Sequence, residues 1–183
     1  MAIAAGAPPF REGALEIGLA NVKQEMNARG YWMAEAAVSS KTIDAPTGAV
    51  NLVIDARPGD LHRIATPEVT SSAGRGEDFT RTITQAYVGR SAKTANLNEM
   101  RLELEESAVS QGYPDAKIRM GSRLDGGRFI PVISIDLGTR VRLNRIHVAG
   151  LERTDPKRIA KRVEDMEGEW YDEAAMNRRL REF

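Results

Sequence analysis

Three stretches of this chain align with one another, and a chain that repeats itself at long period has to fold as a series of similar modules. The stretches are GAPPFREGALEIGLANVKQEMNARGY, GRSAKTANLNEMRLELEESAVSQGY and GEWYDEAAMNRRLREF. Each opens on glycine, passes a short polar turn and enters an amphipathic helical pattern. In the first, Leu15, Leu19, Val22 and Met26 fall at i, i+4, i+7 and i+11, one stripe of a helix. Leu97, Leu104 and Ala108 occupy matching places in the second, and Met176, Leu180 and Phe183 in the third.

The match continues beyond the helices. Gly30-Tyr31 and Gly112-Tyr113 stand 82 positions apart, each where a helix should end on a glycine in the left-handed conformation. Ala34, Ala36 and Val38 then alternate as Ala116, Ile118 and Met120 do, the period of a strand with one buried face. Turns follow at Asp44–Gly48 and Leu124–Gly127, the second carrying the Asp-Gly pair of tight hairpins. Return strands are read at Val50, Leu52, Ile54 and at Phe129, Ile133, Ile135, with Pro131 tolerable near a strand's start and awkward in its middle. Ahead of the later helices, Ile146 and Val148 mark a strand ending at Gly150. Thr154-Asp155-Pro156 then starts a helix with Ile159, Val163 and Met166 as its apolar stripe. The counterpart in the second copy is LHRIATPEVTSSAG followed by Phe79, Ile83 and Tyr87.

The expected unit is therefore strand–helix–helix–strand–strand. Residues 1–60 are read as the back part of one unit, 61–138 as a complete unit and 139–183 as the front part of a third. The start, MAIAAGAPPF, has neither a basic n-region nor a long apolar core, so any export signal is expected upstream of this segment.

Composition narrows the chemistry. An apolar fraction of 42% supports a packed core, and 26 basic against 26 acidic residues remove the broad electrostatic footprint of a nucleic-acid binder. With no cysteine there are no disulfides, thiolate metal sites or thiol nucleophiles. His62 and His147 fall in the expected first strands of successive units, which argues for a structural role. Asp55 and Asp136 recur at strand ends as turn or cap residues, and Ser71-Ser72 has no nearby base. No catalytic residue, metal, cofactor or small-molecule substrate is expected. No apolar run approaches the roughly 20 residues of a membrane-spanning helix.

The segment RVRLNRIHVAGLERTDPKRIAKRVEDMEGEWYDEAAMNRRLREF resembles the front half of a POTRA domain: a strand ending in glycine, a T-D-P helix start, then E-G-x-x-Y before the second helix. RGYWMAEAAV and QGYPDAKIRM resemble the G-Y-x-x-A-x-V that opens the family's second strand. The aromatic expected after the inter-helix glycine is present as Phe10 and Trp170-Tyr171, whereas the second copy has Ser91-Ala92. The resemblance spans nearly the whole chain and matches best the arm of the BamA/TamA outer-membrane assembly superfamily, with the TamA-like branch favoured on unit lengths. It implies an α+β fold of tandem POTRA modules (β-α-α-β-β), each a three-stranded mixed sheet covered by two helices. It also implies a non-enzymatic arm on the periplasmic face of the outer membrane, with unfolded outer-membrane clients and periplasmic proteins as partners and a barrel outside this segment. The alternative is a partner-docking POTRA arm of a two-partner secretion or cell-division protein.

Within that family the strand after Gly-Tyr is implied to be the edge that pairs with extended peptides. The expected binding residues are Glu35, Ala37, Ser39 and Lys41 in one copy and Asp115, Lys117 and Arg119 in the other. A basic run of Arg153, Lys157, Arg158 and Lys161, together with Trp170, is a second candidate surface, facing a partner or lipid headgroups; a solvated helix face and packing at a turn are the plainer readings.

Overall fold

The computed structural model describes residues 10–71, 76–146 and 166–181, apart from the side chains of residues 76–79 and 180. The basic run 153–161, His147 and the helix expected after Thr154 lie outside the described residues. The elements are α1 (Glu12–Ala28), β1 (Glu35–Asp44), β2 (Ala49–Arg57), β3 (Arg63–Ile64), β4 (Glu68–Ser71), α2 (Gly76–Gln85), α3 (Thr94–Ser110), β5 (Lys117–Asp125), β6 (Arg128–Asp136) and α4 (Glu173–Arg181).

From β3 to β6 the chain forms one complete module on a four-stranded sheet, the expected first strand of the β-α-α-β-β order being split into β3 and β4. The last strand, β6, lies at its centre. β5 pairs with all nine residues of β6 in antiparallel register, from Lys117 opposite Asp136 to Asp125 opposite Arg128. β3 and β4 run parallel to β6. Alternation explains the layering: Phe129, Ile133 and Ile135 of β6 and Ile118 of β5 point to one face and are buried there. Against that face α3 lays Leu97, Met100, Leu104 and Ala108, a stripe at helical spacing, and Tyr87 closes the end beyond α2. Phe129, Met100, Leu104 and Ile133 are each 2% exposed or less, so each contributes roughly 1.5–3 kcal/mol of burial.

Pro131 falls in the interior of β6 rather than near its start, a correction to the sequence reading. The parallel neighbour is interrupted at the same level: β3 pairs end at Phe129 and β4 pairs begin at Val132. No ladder on that side needs the N–H that proline lacks.

The first copy shows α1 and the β1–β2 hairpin. Its stripe, Leu15, Leu19, Val22 and Met26, is half-buried, while α1 holds no fully buried residue and Ile54 of β2 is 44% exposed. The reason is topological. β2 corresponds to the central β6, yet among the described residues it pairs with β1 alone.

Successive modules meet through one motif used twice. α1 and α3 both end on a left-handed glycine, Gly30 at φ 99° and Gly112 at φ 91°. The carbonyl of Gly30 accepts the N–H of His62 at 3.0 Å, and that of Gly112 accepts the N–H of Val141 at 2.8 Å. Ala92 N–H then donates to His62 O at 2.9 Å as Tyr171 N–H donates to Val141 O at 2.9 Å. Leu143 and Glu169 likewise repeat the bond of Ile64 to Arg90, both at 2.9 Å, and isolated bridges join Arg63 to Ser91 and Arg142 to Trp170. Apart from the two glycines, which stand 82 positions apart, these partners shift by 79 positions from one junction to the next. Ser91 thus takes the backbone role of the aromatic Trp170.

The fit around the two glycines is unequal. A Cβ on Gly112 would lie 3.0 Å from Trp170 Cβ and 3.3 Å from the Val141 carbonyl oxygen, whereas one on Gly30 would meet the mobile tip of Leu61 at 3.0 Å. Both substitutions force a left-handed alanine at roughly 1–2 kcal/mol, and only Gly112→Ala must also displace fixed atoms. Urea titration should show Gly112→Ala destabilising the chain by more than Gly30→Ala. In the complete module, Ile133→Ala should cost roughly 2–5 kcal/mol, a large part of a typical domain's stability.

Candidate peptide-binding edges

A strand at the border of a sheet presents a row of unpaired N–H and C=O groups. In the complete module β5 is such a strand: its only partner among the described residues is β6. The ladder to β6 is unbroken over nine residues, so the outer edge is straight and regular. Lys117 and Arg119 alternate with the buried Ile118 and are exposed on the face away from the helices. Asp115 is exposed just ahead of the strand. Neither cation forms an ion pair among the described residues. Asp136 stands opposite Lys117, but its Oδ1 accepts the Gly138 N–H at 3.2 Å. Arg119 lies in a row with Ser134 and Thr70. With Lys117 and Asp136 these residues line a shallow depression of about 440 Å³. Arg123, further along, is occupied by Glu68 at 2.5 Å.

β1 is an edge of another kind. The register to β2 slips between Val38 and Ser40, so Ser39 has no partner across the ladder and its hydroxyl donates to Val53 O at 3.2 Å. Glu35 and Ala37 point outward ahead of this bulge. Beyond it the alternation is inverted: Lys41 pairs in register with Leu52, donates to Glu12 Oε1 at 2.9 Å and lies 4.7 Å from the Phe10 ring. That hydrogen bond, and then the ammonium charge, hold the Glu12 carboxyl below its ordinary range. The structure therefore sets Lys41 on the α1 side, away from the face of Glu35 and Ala37. A β-bulge inserts one residue and flips every later side chain. A pattern count that assumes strict alternation misses it, and the adjacent pair Ser39-Ser40 is the sole local sign.

Trp170 is half-buried at the second junction. The Arg140 guanidinium lies 3.5 Å and that of Arg142 4.0 Å from its ring centroid, and Arg140 also donates to Gln111 O at 2.8 Å. This tryptophan is held between modules and does not stand free as a surface patch. Sequence reading missed the tryptophan at the first junction, Trp32, which is not the equivalent of Trp170; its Nε1–H donates to Ala92 O at 2.7 Å while the ring packs on Phe129 at 4.7 Å.

His62 is buried at 1% exposure. Its Nδ1 lies 3.0 Å from the Asp60 carbonyl, which can only accept, so Nδ1 carries the proton and Nε2 has no partner among the described residues. Val141 takes the same main-chain position in the next junction.

No protein-family model and no curated protein matches the chain. Among solved structures 56 chains match. The fold that this chain shares with the first described below is that of tandem POTRA domains. POTRA domains 3–5 of Haemophilus influenzae BamA superpose with a TM-score of 0.56 at 15% identity, over 96% of this chain and 72% of that one. The isolated POTRA4 of the same protein gives 0.39 at 11% identity, over 44% of this chain and 97% of that one. BamA from Haemophilus ducreyi lacking POTRA domains 1–3 gives 0.43 at 16%, over 69% of this chain and 23% of that one. The first of these carries the assignment of fold.

Substituting His62→Val removes the orphaned acceptor while leaving the repeated backbone bonds. Thermal denaturation should show stability unchanged or raised by about 1 kcal/mol; a loss of several kcal/mol would show that the imidazole holds the junction together.

Proposed function

We propose that this chain is part of a periplasmic POTRA arm of an outer-membrane protein assembly or translocation machine, acting as a scaffold that holds extended client segments against its sheet edges. The observation that carries this reading is the unbroken nine-residue strand β5, whose outer edge has no strand paired to it among the described residues. Main-chain bonds from such an edge bind an extended peptide with little demand on its sequence, which suits a scaffold with many clients. Lys117 and Arg119 flank the edge as contacts for the client's side chains. β1 offers a second, shorter edge over Glu35–Val38 before its bulge. The POTRA fold supports the placement at the periplasmic side of the outer membrane and the outer-membrane barrel as the neighbouring element. The TamA-like branch rests on unit lengths alone. The reading assigns the chain no catalytic step.

The test is an amide titration of isotope-labelled protein with an extended peptide of alternating apolar and polar residues, of the kind found in outer-membrane strands. Shifts should concentrate in Lys117–Asp125, with weaker ones confined to Glu35–Val38. Shifts restricted to the surfaces of α1, α3 and α4 would overturn the edge-pairing mechanism.

A further inference from the structure

One cavity among the described residues lies away from both edges. It is a groove of about 830 Å³ between α3 of the complete module and α4 of the next. Ile83, Val109 and Ala174 supply its apolar surface, and Glu103, Glu106, Asp172 and Glu173 supply carboxylates. Arg178 is the one cation among the described residues that line it. Glu105, also at the groove, is already paired with Arg101 at 2.6 Å, whereas Glu103, Glu106 and Glu173 form no ion pair among the described residues.

The charge is not a requirement of the fold. At the preceding junction the positions equivalent to Glu103 and Glu106 are Asn21 and Gln24, and those equivalent to Asp172 and Glu173 are Lys93 and Thr94. The same architecture is built there without a single one of these carboxylates. The acidity also works against α3 itself. Glu99, Glu103 and Glu106 follow one another at i, i+4 and i+7 on one exposed stripe, and like charges at such spacing destabilise a helix.

A separate feature points the same way. Tyr87 is 1% exposed, yet its hydroxyl makes no hydrogen bond of normal geometry. It lies close to Glu103, and burial first, then Glu103 and Glu99, push its pKa up to about 12. A buried hydroxyl without a normal hydrogen bond among the described residues thus lies beside Glu103, one of the carboxylates that line the groove.

We infer that the α3–α4 groove is a docking site for a basic amphipathic helix of a partner protein. A helix laid in the valley between two helices buries its apolar side on Ile83, Val109 and Ala174, and lysine or arginine on its flanks neutralises the carboxylates on either side. The acidic wall selects against acidic partners and against anionic membrane surfaces. This site is separate from the β5 edge. One arm can therefore hold an extended segment on its sheet and a folded partner on its helices.

The probe is a synthetic peptide of about 18 leucines and lysines patterned as an amphipathic helix, titrated into the isotope-labelled chain. Two controls accompany it: a glutamate-for-lysine version and a scrambled peptide of the same composition. The patterned basic peptide should shift amides of α3 from Glu103 onward and of α4, and the two controls should not. Glu103→Gln with Glu106→Gln should weaken binding about tenfold and at the same time raise the free chain's thermal stability, because it relieves the repulsion along α3. Equal binding of the scrambled peptide, undiminished affinity of the double variant, or shifts confined to β5 would overturn the proposal. So would sedimentation showing the groove closed by a second copy of the chain.

Discussion

The hydrogen bond from the first strand of one module to the glycine carbonyl that ends the last helix of the module before it organises the whole chain. A left-handed glycine is the only residue that can turn the chain there without strain and leave room for the incoming strand. Gly30 and Gly112 do this for successive modules, and from each the same bonds follow in the same order. The interval between modules is set by that junction. The side chains that pad it differ: Trp32 reaches forward onto Phe129 at the first, and Trp170 is clasped between Arg140 and Arg142 at the second. A main-chain contact indifferent to side-chain identity allows one architecture to recur while sequence identity between copies is low.

The same logic separates what the modules share from what each does. Backbone pairing is common property, and it leaves an open edge wherever a sheet has one. Charge is local property. β5 carries on its exposed face two cations that are unpaired among the described residues, the bulge in β1 turns Lys41 onto Glu12, and the helices of the second junction line their groove with carboxylates. A chain of zero net charge is thus divided into surfaces of opposite sign, and it is at those surfaces that partners can be told apart.

Much of the architecture was legible before any coordinates. The helical stripes of α1 and α3, the glycines that end them, the alternation of β1 and β5 and the Asp-Gly hairpin all depend on contacts within a few residues, where periodicity reports burial directly. Met100 escaped the stripe only because its neighbours were counted without it. The bulge at Ser39 and the interior Pro131 were not legible, since each depends on what the adjoining strand does at the same level. Trp32 is similar: its partner Ala92 is 60 positions away. No catalytic signal stood out in the sequence, and His62 in the structure offers its Asp60 contact and an unpartnered nitrogen at a position that valine fills elsewhere.

The sequence by itself determined the module and its repetition, because local spacing of apolar residues and glycine is enough to specify helices, strands and their ends. Tertiary structure alone decided that β6 lies at the centre and β5 at the border, which way Lys41 faces, and that carboxylates from two helices 67 positions apart, at Glu106 and Glu173, line one groove. Those outcomes depend on register and on junction geometry between distant segments, quantities that no local periodicity contains.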